Sequence, residues 1–209
     1  MMNAQVFIVD YGMGNLASVQ RAVEELGARV VISEEPKDIK TSSHLILPGV
    51  GAFGDGMRNL QKLGWDEALV QVAQEKKLAV LGICLGMQLL ADVGFEHGEH
   101  RGLGLIPGKI SKLNSQMPHE RIPHVGWNEL HFLDSHDPLL SGIRDKTDFY
   151  FVHSYHFLPE NSTCVLAKTP YCGDFVSVVR NELIWGVQFH PEKSARPGFQ
   201  LLKNFLEAC

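Results

Sequence analysis

No stretch of this sequence offers the roughly 20 consecutive apolar residues that a helix needs to cross a bilayer, so a membrane-spanning class is not expected. The first residues, Met1-Met2-Asn3-Ala4-Gln5, carry neither a basic segment nor a long apolar one. Without such a leader the cytoplasm is the expected compartment. A basic surplus is missing too: 19 Lys and Arg stand against 24 Asp and Glu, a formal net charge of −5. That balance leaves no electrostatic footprint for nucleic acid, and no nucleic-acid partner is expected. Cysteine is scarce. Cys84, Cys164, Cys172 and Cys209 lack the spacing of a metal site and read as reduced thiols. Internal repeats, low-complexity tracts and Pro/Gly/Ser-rich linkers are absent as well, so one domain over residues 1–209 is expected. With 44% hydrophobic and 21% charged residues, the chain has the composition of an ordinary globular protein with a substantial core.

What is present is an alternation of short apolar runs and helical patterns. Val6 to Val9 reads as a strand that stops at the turn Asp10-Tyr11-Gly12-Met13-Gly14. Asn15 is a candidate cap for a helix with Leu16, Val19, Val23 and Leu26 on one face and a stop at Gly27. Strands are expected at Arg29–Ile32 and His44–Leu47, a helix ending at Gly64, and another from Trp65 to Lys77. This alternation predicts an α/β fold, an open and mostly parallel sheet with helices on both faces. Gly12 and Gly14 lack the third glycine of a dinucleotide fingerprint. From Gly102 onward helical spacing disappears. Strands are expected at Leu105–Ile106, Lys109–Leu113, Arg121–Ile122 and Trp127–Phe132, an antiparallel excursion from the main sheet. Cys164–Lys168, Phe175–Arg180 and Leu183–Phe189 follow, with a tight turn at Asn181–Glu182 and a last helix from Lys193-Ser194.

The chemistry concentrates at residues 78–92. An apolar run from Leu78 to Leu81 stops at Gly82, and a helical pattern at Met87, Leu90 and Ala91 begins just beyond. Cys84 sits on the turn between them, flanked by Gly82 and Gly86. Small neighbours let the backbones pass closely while the side chain projects outward, the geometry of a nucleophile elbow. There the N–H of Leu85 points toward any oxyanion formed at Cys84. A lone cysteine in an apolar stretch is more often an inert core residue. A second site bears on that choice: in Gly186-Val187-Gln188-Phe189-His190-Pro191-Glu192 an extended chain puts His190 and Glu192 on one face, so that the carboxylate can orient an imidazole toward a thiol. The glycine-rich loop Pro48 to Gly54 closes the third strand at the end where ligands bind in open α/β sheets. Three glycines in six residues let backbone N–H groups turn inward toward an oxyanion, although a flexible connection would have the same composition.

Gly82-Ile83-Cys84-Leu85-Gly86-Met87-Gln88 with His190-Pro191-Glu192 resembles the Cys-His-Glu triad of class I glutamine amidotransferase domains. The resemblance implies catalysis by Cys84, His190 and Glu192, and an oxyanion hole from Gly49, Val50, Gly51 and the Leu85 N–H. It also implies that Gln88 and Glu96 hold the substrate glutamine. Three further stretches, Pro123-His124-Val125-Gly126-Trp127-Asn128, Phe151-Val152-His153-Ser154-Tyr155-His156 and Gly186 to Ser194, make the chain similar to the glutaminase subunits of imidazole glycerol phosphate synthases. That likeness places His153, Ser154 and Tyr155 on the substrate side. Trp127, Asn128 and Lys193 match positions near the contact with a (β/α)8-barrel cyclase subunit, which receives ammonia as a heterodimer partner. The implied reaction needs no metal or organic cofactor: thiolate attack on the glutamine amide, release of ammonia assisted by His190, and hydrolysis of a γ-glutamyl thioester. Two other readings fit the same residues. One is a paralogous amidotransferase serving another amination, such as that of a nucleotide-linked sugar; the other is a catalytically silent interaction subunit with the same fold.

Overall fold

The structure, a computed structural model, describes residues 4–75, 78–118 and 120–208. The N-terminal tripeptide used in the leader argument, the last two residues of the expected 65–77 helix, and Cys209 lie outside the described residues. Strands β1 (Gln5–Val9), β2 (Arg29–Ser33), β3 (His44–Gly49) and β4 (Ala79–Cys84) alternate with helices α1 (Leu16–Glu25), α2 (Phe53–Leu63), α3 (Trp65–Glu75) and the short α4 (Leu85–Leu89). The expected punctuation is in place. The Asn15 side chain accepts from the Ser18 N–H at 3.3 Å to cap α1, and Gly64 ends α2 in the left-handed region at φ 74°.

After α4 come β5 (Val93–Gly94), β6 (His100–Arg101), β7 (Gly108–Lys112), β8 (His124–Glu129), β9 (His131–Phe132), β10 (Asp148–His153) and β11 (Tyr155–Pro159). Then follow β12 (Val165–Thr169), β13 (Phe175–Asn181), β14 (Ile184–Val187) and α5 (Ala195–Glu207). The main sheet runs β2-β1-β3-β4-β14-β13-β11-β7-β5-β6. Its first five strands pair in parallel, and β14-β13-β11-β7 pair antiparallel. A separate two-stranded ladder joins β8 and β10.

Both faces of the parallel half are covered. Val6 and Ile8 of β1 pack into a core with Val19 and Val23 of α1 and Leu202 and Phe205 of α5. Phe7 and Val9 point the other way, onto Phe53, Leu60, Trp65 and Leu69 of α2 and α3. Period-2 alternation with both sides apolar is why these strands read as continuous hydrophobic runs. On β14, Trp185 is fully buried and its indole N–H donates to Asp137 Oδ1 at 3.2 Å, while Arg180 Nη1 donates to Asp137 Oδ2 at 2.6 Å. The buried carboxylate thus fixes the strand that leads to His190.

Several boundaries differ from expectation for local reasons. β4 does not stop at Gly82 but continues to Cys84, because Gly82 and Ile83 still pair with Gly186 and Val187. Pro48 and Gly49 likewise belong to β3, in register with Ile83 and Cys84. Leu105–Ile106 and Arg121–Ile122 form no strands; Leu105 and Ile106 fill core positions from bends, and half-buried Ile122 packs against the core. The β13–β14 turn falls at Glu182-Leu183, with Glu182 at φ 55°. Lys193 ends a 3-10 turn, Pro191–Lys193, before α5 begins at Ala195.

The register decides where the chemistry is possible. β3, β4 and β14 are adjacent parallel strands, so their carboxyl ends open side by side. Cys84 ends the middle one, the glycine loop follows one neighbour, and His190 follows the other.

Candidate active site

Cys84 is held at φ 54° and ψ −108°, a conformation that a side chain with a Cβ rarely adopts. The turn fits only because its flanks are bare. A Cβ on Gly86 would overlap the Leu47 carbonyl, and one on Gly82 would lie 2.7 Å from the Gly86 carbonyl oxygen. The sulfur is directed to a small set of neighbours: Gln188 Nε2 donates toward Sγ at 3.7 Å, and the thiol faces the Val152 carbonyl at 3.9 Å.

His190 lies beyond the end of β14, its N–H donating to the Tyr150 carbonyl at 2.9 Å. The expected extended segment is replaced by the 3-10 turn, yet the pair two residues apart still forms: Nδ1 meets Glu192 Oε1 at 2.8 Å. Both side chains are almost wholly buried. With Nδ1 engaged, Nε2 is the nitrogen left free, and it has no hydrogen-bond partner among the described residues. Burial acts to lower the His190 pKa, but the neighbouring Cys84 and Glu192 outweigh it and lift the value to about 9. An imidazole that keeps its second proton, with Nδ1 held by a carboxylate and Nε2 free, is suited to deliver that proton to a leaving amine.

Beside the sulfur opens a cavity of about 310 Å³. Val50, Gly51 and Leu85 line it next to Cys84; Gln88, Glu96, His153, Ser154 and Tyr155 line the remainder, with Pro123 and Val152. Gly49 stands behind, paired with Cys84 in the ladder. The expected oxyanion and substrate-side residues therefore meet at one pocket. Glu96 has a second contact there, its Oε2 accepting from the Phe53 N–H at 2.8 Å at the start of α2.

Gln88, buried on α4, donates to the Tyr155 carbonyl at 3.0 Å and to Gln188 Oε1 at 3.1 Å. The same Tyr155 carbonyl faces His153 Nδ1 at 2.8 Å. A carbonyl only accepts, so Nδ1 carries the proton and His153 Nε2 must accept. Its partner is His124 Nδ1 at 3.2 Å, and His124 Nε2 in turn faces Asn128 Nδ2 at 3.3 Å. Both rings are thereby fixed as neutral tautomers. Burial agrees with this, pushing the His153 pKa down to about 3 and that of His124 down to about 4. The unfolded chain takes up protons near pH 6.5 that the folded chain refuses, so stability falls as pH drops from there. His153 alone should remove about 2 kcal/mol between pH 7 and pH 5. Urea midpoints at the two pH values check this, and His153→Asn should flatten the difference.

Trp127 is 54% exposed on β8, opposite Tyr150 of β10 with ring centroids 6.1 Å apart; Lys193 Nζ lies 5.9 Å from the Tyr150 ring centre. With exposed Val125 and Val152 they form an apolar patch over the strand whose carbonyl touches the sulfur. Asn128 is not part of that patch. Strand alternation turns its amide toward His124 and the Pro170 carbonyl.

Sequence reasoning missed Gln188, His124 and Tyr11. Gln188 and His124 are polar residues buried inside the quoted motifs, and that mismatch is a readable signal. Tyr11 belongs to the turn after β1, at the same sheet end.

A family model described as glutamine amidotransferase class-I matches residues 7–209. The imidazole glycerol phosphate synthase subunit HisH of Desulfitobacterium hafniense is 46% identical over 198 residues, covering 95% of this chain and 92% of that protein. Its counterpart in Moorella thermoacetica is 45% identical over 202 residues, covering 97% and 94%. Among solved structures, PurLQS from Thermotoga maritima superposes with a TM-score of 0.77 at 19% identity, covering 99% of both chains. A crystal structure of a glutamine amidotransferase gives 0.76 at 20%, covering 98% of this chain and 99% of that one. At those identities the structures speak for the fold alone.

Proposed function

The chain belongs to the class I glutamine amidotransferase family, and from that premise we propose that it is the glutaminase subunit of an imidazole glycerol phosphate synthase. It hydrolyses glutamine to glutamate and ammonia, and passes the ammonia to a (β/α)8-barrel cyclase subunit in histidine biosynthesis. The identity of about 45% over nearly the whole length to subunits of that enzyme supports the assignment. The observation that carries the chemistry is the cavity at which Cys84, Leu85 and the glycine loop meet, with the buried His190–Glu192 pair neighbouring Cys84.

In this reading the Cys84 thiolate, its proton taken up by His190 Nε2, attacks the side-chain amide carbon of glutamine. The carbonyl electrons move to oxygen, which the N–H of Leu85 and those of the Val50–Gly51 loop receive. His190 Nε2 gives its proton to the departing nitrogen as the C–N bond breaks, and ammonia leaves. The imidazole then takes a proton from water, whose oxygen displaces the sulfur from the γ-glutamyl thioester. Glu192 keeps the ring oriented throughout. Gln88, Glu96 and the His153-Ser154-Tyr155 segment hold the amino-acid end of the substrate, and no cofactor takes part. The apolar patch of Trp127 with Lys193 docks the cyclase, and Asn128 backs it through the histidine pair. No helix among the described residues is long and apolar enough to cross a membrane, in keeping with a cytoplasmic enzyme.

Ammonia in water at neutral pH is mostly ammonium, a poor nucleophile, so a closed route to the partner is needed. Glutaminase activity of the chain alone is therefore expected to be weak. Adding the barrel subunit with its phosphoribosyl substrate should raise it by about two orders of magnitude or more, which corresponds to about 3 kcal/mol of coupling. Glutamate release measured with and without partner decides; equal rates would refute the coupling.

A further inference from the structure

The turn Asp10 to Gly14 is built with care and has no part in the steps above. The Asp10 carboxylate accepts from the Gly12 N–H at 3.0 Å, and Asn59 Nδ2 donates to the Tyr11 carbonyl at 3.0 Å. Both contacts lock the Tyr11 backbone. Its side chain is 1% exposed, and its hydroxyl has no hydrogen-bond partner among the described residues. That hydroxyl lies against Gly49, where an added Cβ would overlap it, and Met13 Cε lies 2.5 Å from where a Cβ on Gly51 would stand. The turn thus backs the glycine loop at both ends. Burial, then the neighbouring Cys84, pushes the phenol pKa up, so the group keeps its proton and remains a donor.

A buried hydroxyl without an acceptor is unfavourable. The β3–β4 ladder ends at the Gly49–Cys84 pair, and Gly51 sits at φ 121°, so the peptides beyond Gly49 are free of the sheet. Any of these peptides that turns its N–H toward the sulfur must turn its carbonyl away, and a carbonyl turned toward the buried Tyr11 side chain then needs a donor there. Tyr11 is placed to supply one.

We propose that Tyr11 is a positioning residue for the oxyanion loop: its hydroxyl donates to a main-chain carbonyl of residues 49–51 in the arrangement whose N–H groups receive the oxyanion. The proposal rests on the glutaminase reading. It makes the hydroxyl dispensable to the resting fold and useful in the transition state, two effects of opposite sign.

The test is Tyr11→Phe in the complex with the cyclase, compared with the unaltered chain. The thermal midpoint should be unchanged or higher, kcat for glutamine hydrolysis should fall about tenfold, and KM should stay within about twofold. Alkylation of Cys84 by iodoacetamide, in which sulfur displaces iodide and no oxyanion forms, should proceed at the unaltered rate. An unchanged kcat would overturn the proposal. So would a lowered midpoint, which would give the hydroxyl an acceptor in the resting fold, or an equal loss of alkylation, which would place its action on the sulfur. If the unaltered complex releases no glutamate, the glutaminase reading itself fails and this proposal goes with it.

Discussion

Cys84→Ala is expected to remove glutamine-dependent product formation by the complex, by about 10⁴-fold or more, while ammonia-dependent formation persists. The size follows from the division of labour. Without the sulfur no thioester can form, and the His190–Glu192 pair has only water to activate against an unactivated amide. In the proposed complex the cyclase chemistry belongs to the partner, which needs only ammonia from this chain. Cys84→Ser should be nearly as inactive, because an alkoxide is far harder to generate beside an imidazolium than a thiolate. Assays of both variants with glutamine and with ammonium salt at pH 8.5 check this. Loss of both activities in a folded complex would refute the assignment of the roles.

The second large effect is on the fold. Gly86→Ala is expected to destabilise the protein by more than about 3 kcal/mol, and to abolish glutaminase activity in whatever folds. The added methyl would overlap the Leu47 carbonyl, and Leu47 belongs to β3, which is hydrogen-bonded on one side to β1 and on the other to β4. A central strand cannot step aside. Gly54→Ala is the control. The nearest atoms to its methyl would all belong to the His100 ring, a side chain that can give way, and alanine favours the helix. That variant should stay within about 1 kcal/mol of the unaltered chain by urea unfolding.

The turn at Cys84 and the His190–Glu192 pair were legible in the sequence because both are local. Glycines around Cys84 report a close backbone approach, and a carboxylate two residues from a histidine reports a hydrogen bond. The parallel strands were legible for the same reason, as apolar runs closed by polar or glycine-rich residues. The excursion after residue 102 was less so. Leu105, Ile106 and Ile122 are as apolar as strand residues, but their burial comes from bends packed onto a sheet formed elsewhere. Gln188 donating to the sulfur, and the chain from Asn128 through two histidines to the Tyr155 carbonyl, depend on pairings between residues 29 to 104 positions apart as well as on local ones. No spacing rule reaches that far. The extra length of β4 and β3 followed from pairing with strands whose register periodicity cannot reveal.

The place of β14 has a consequence for synthesis. The strand is made after β5 to β13, yet it occupies the middle of the main sheet, between β4 and β13. A nascent chain on the ribosome can assemble β1 to β4 and present Cys84 long before His190 exists, and a sheet that waits for a late central strand closes slowly. In the proposed mechanism the thiol therefore stays unarmed until His190 has been made, and a chain cut short before it cannot spend glutamine.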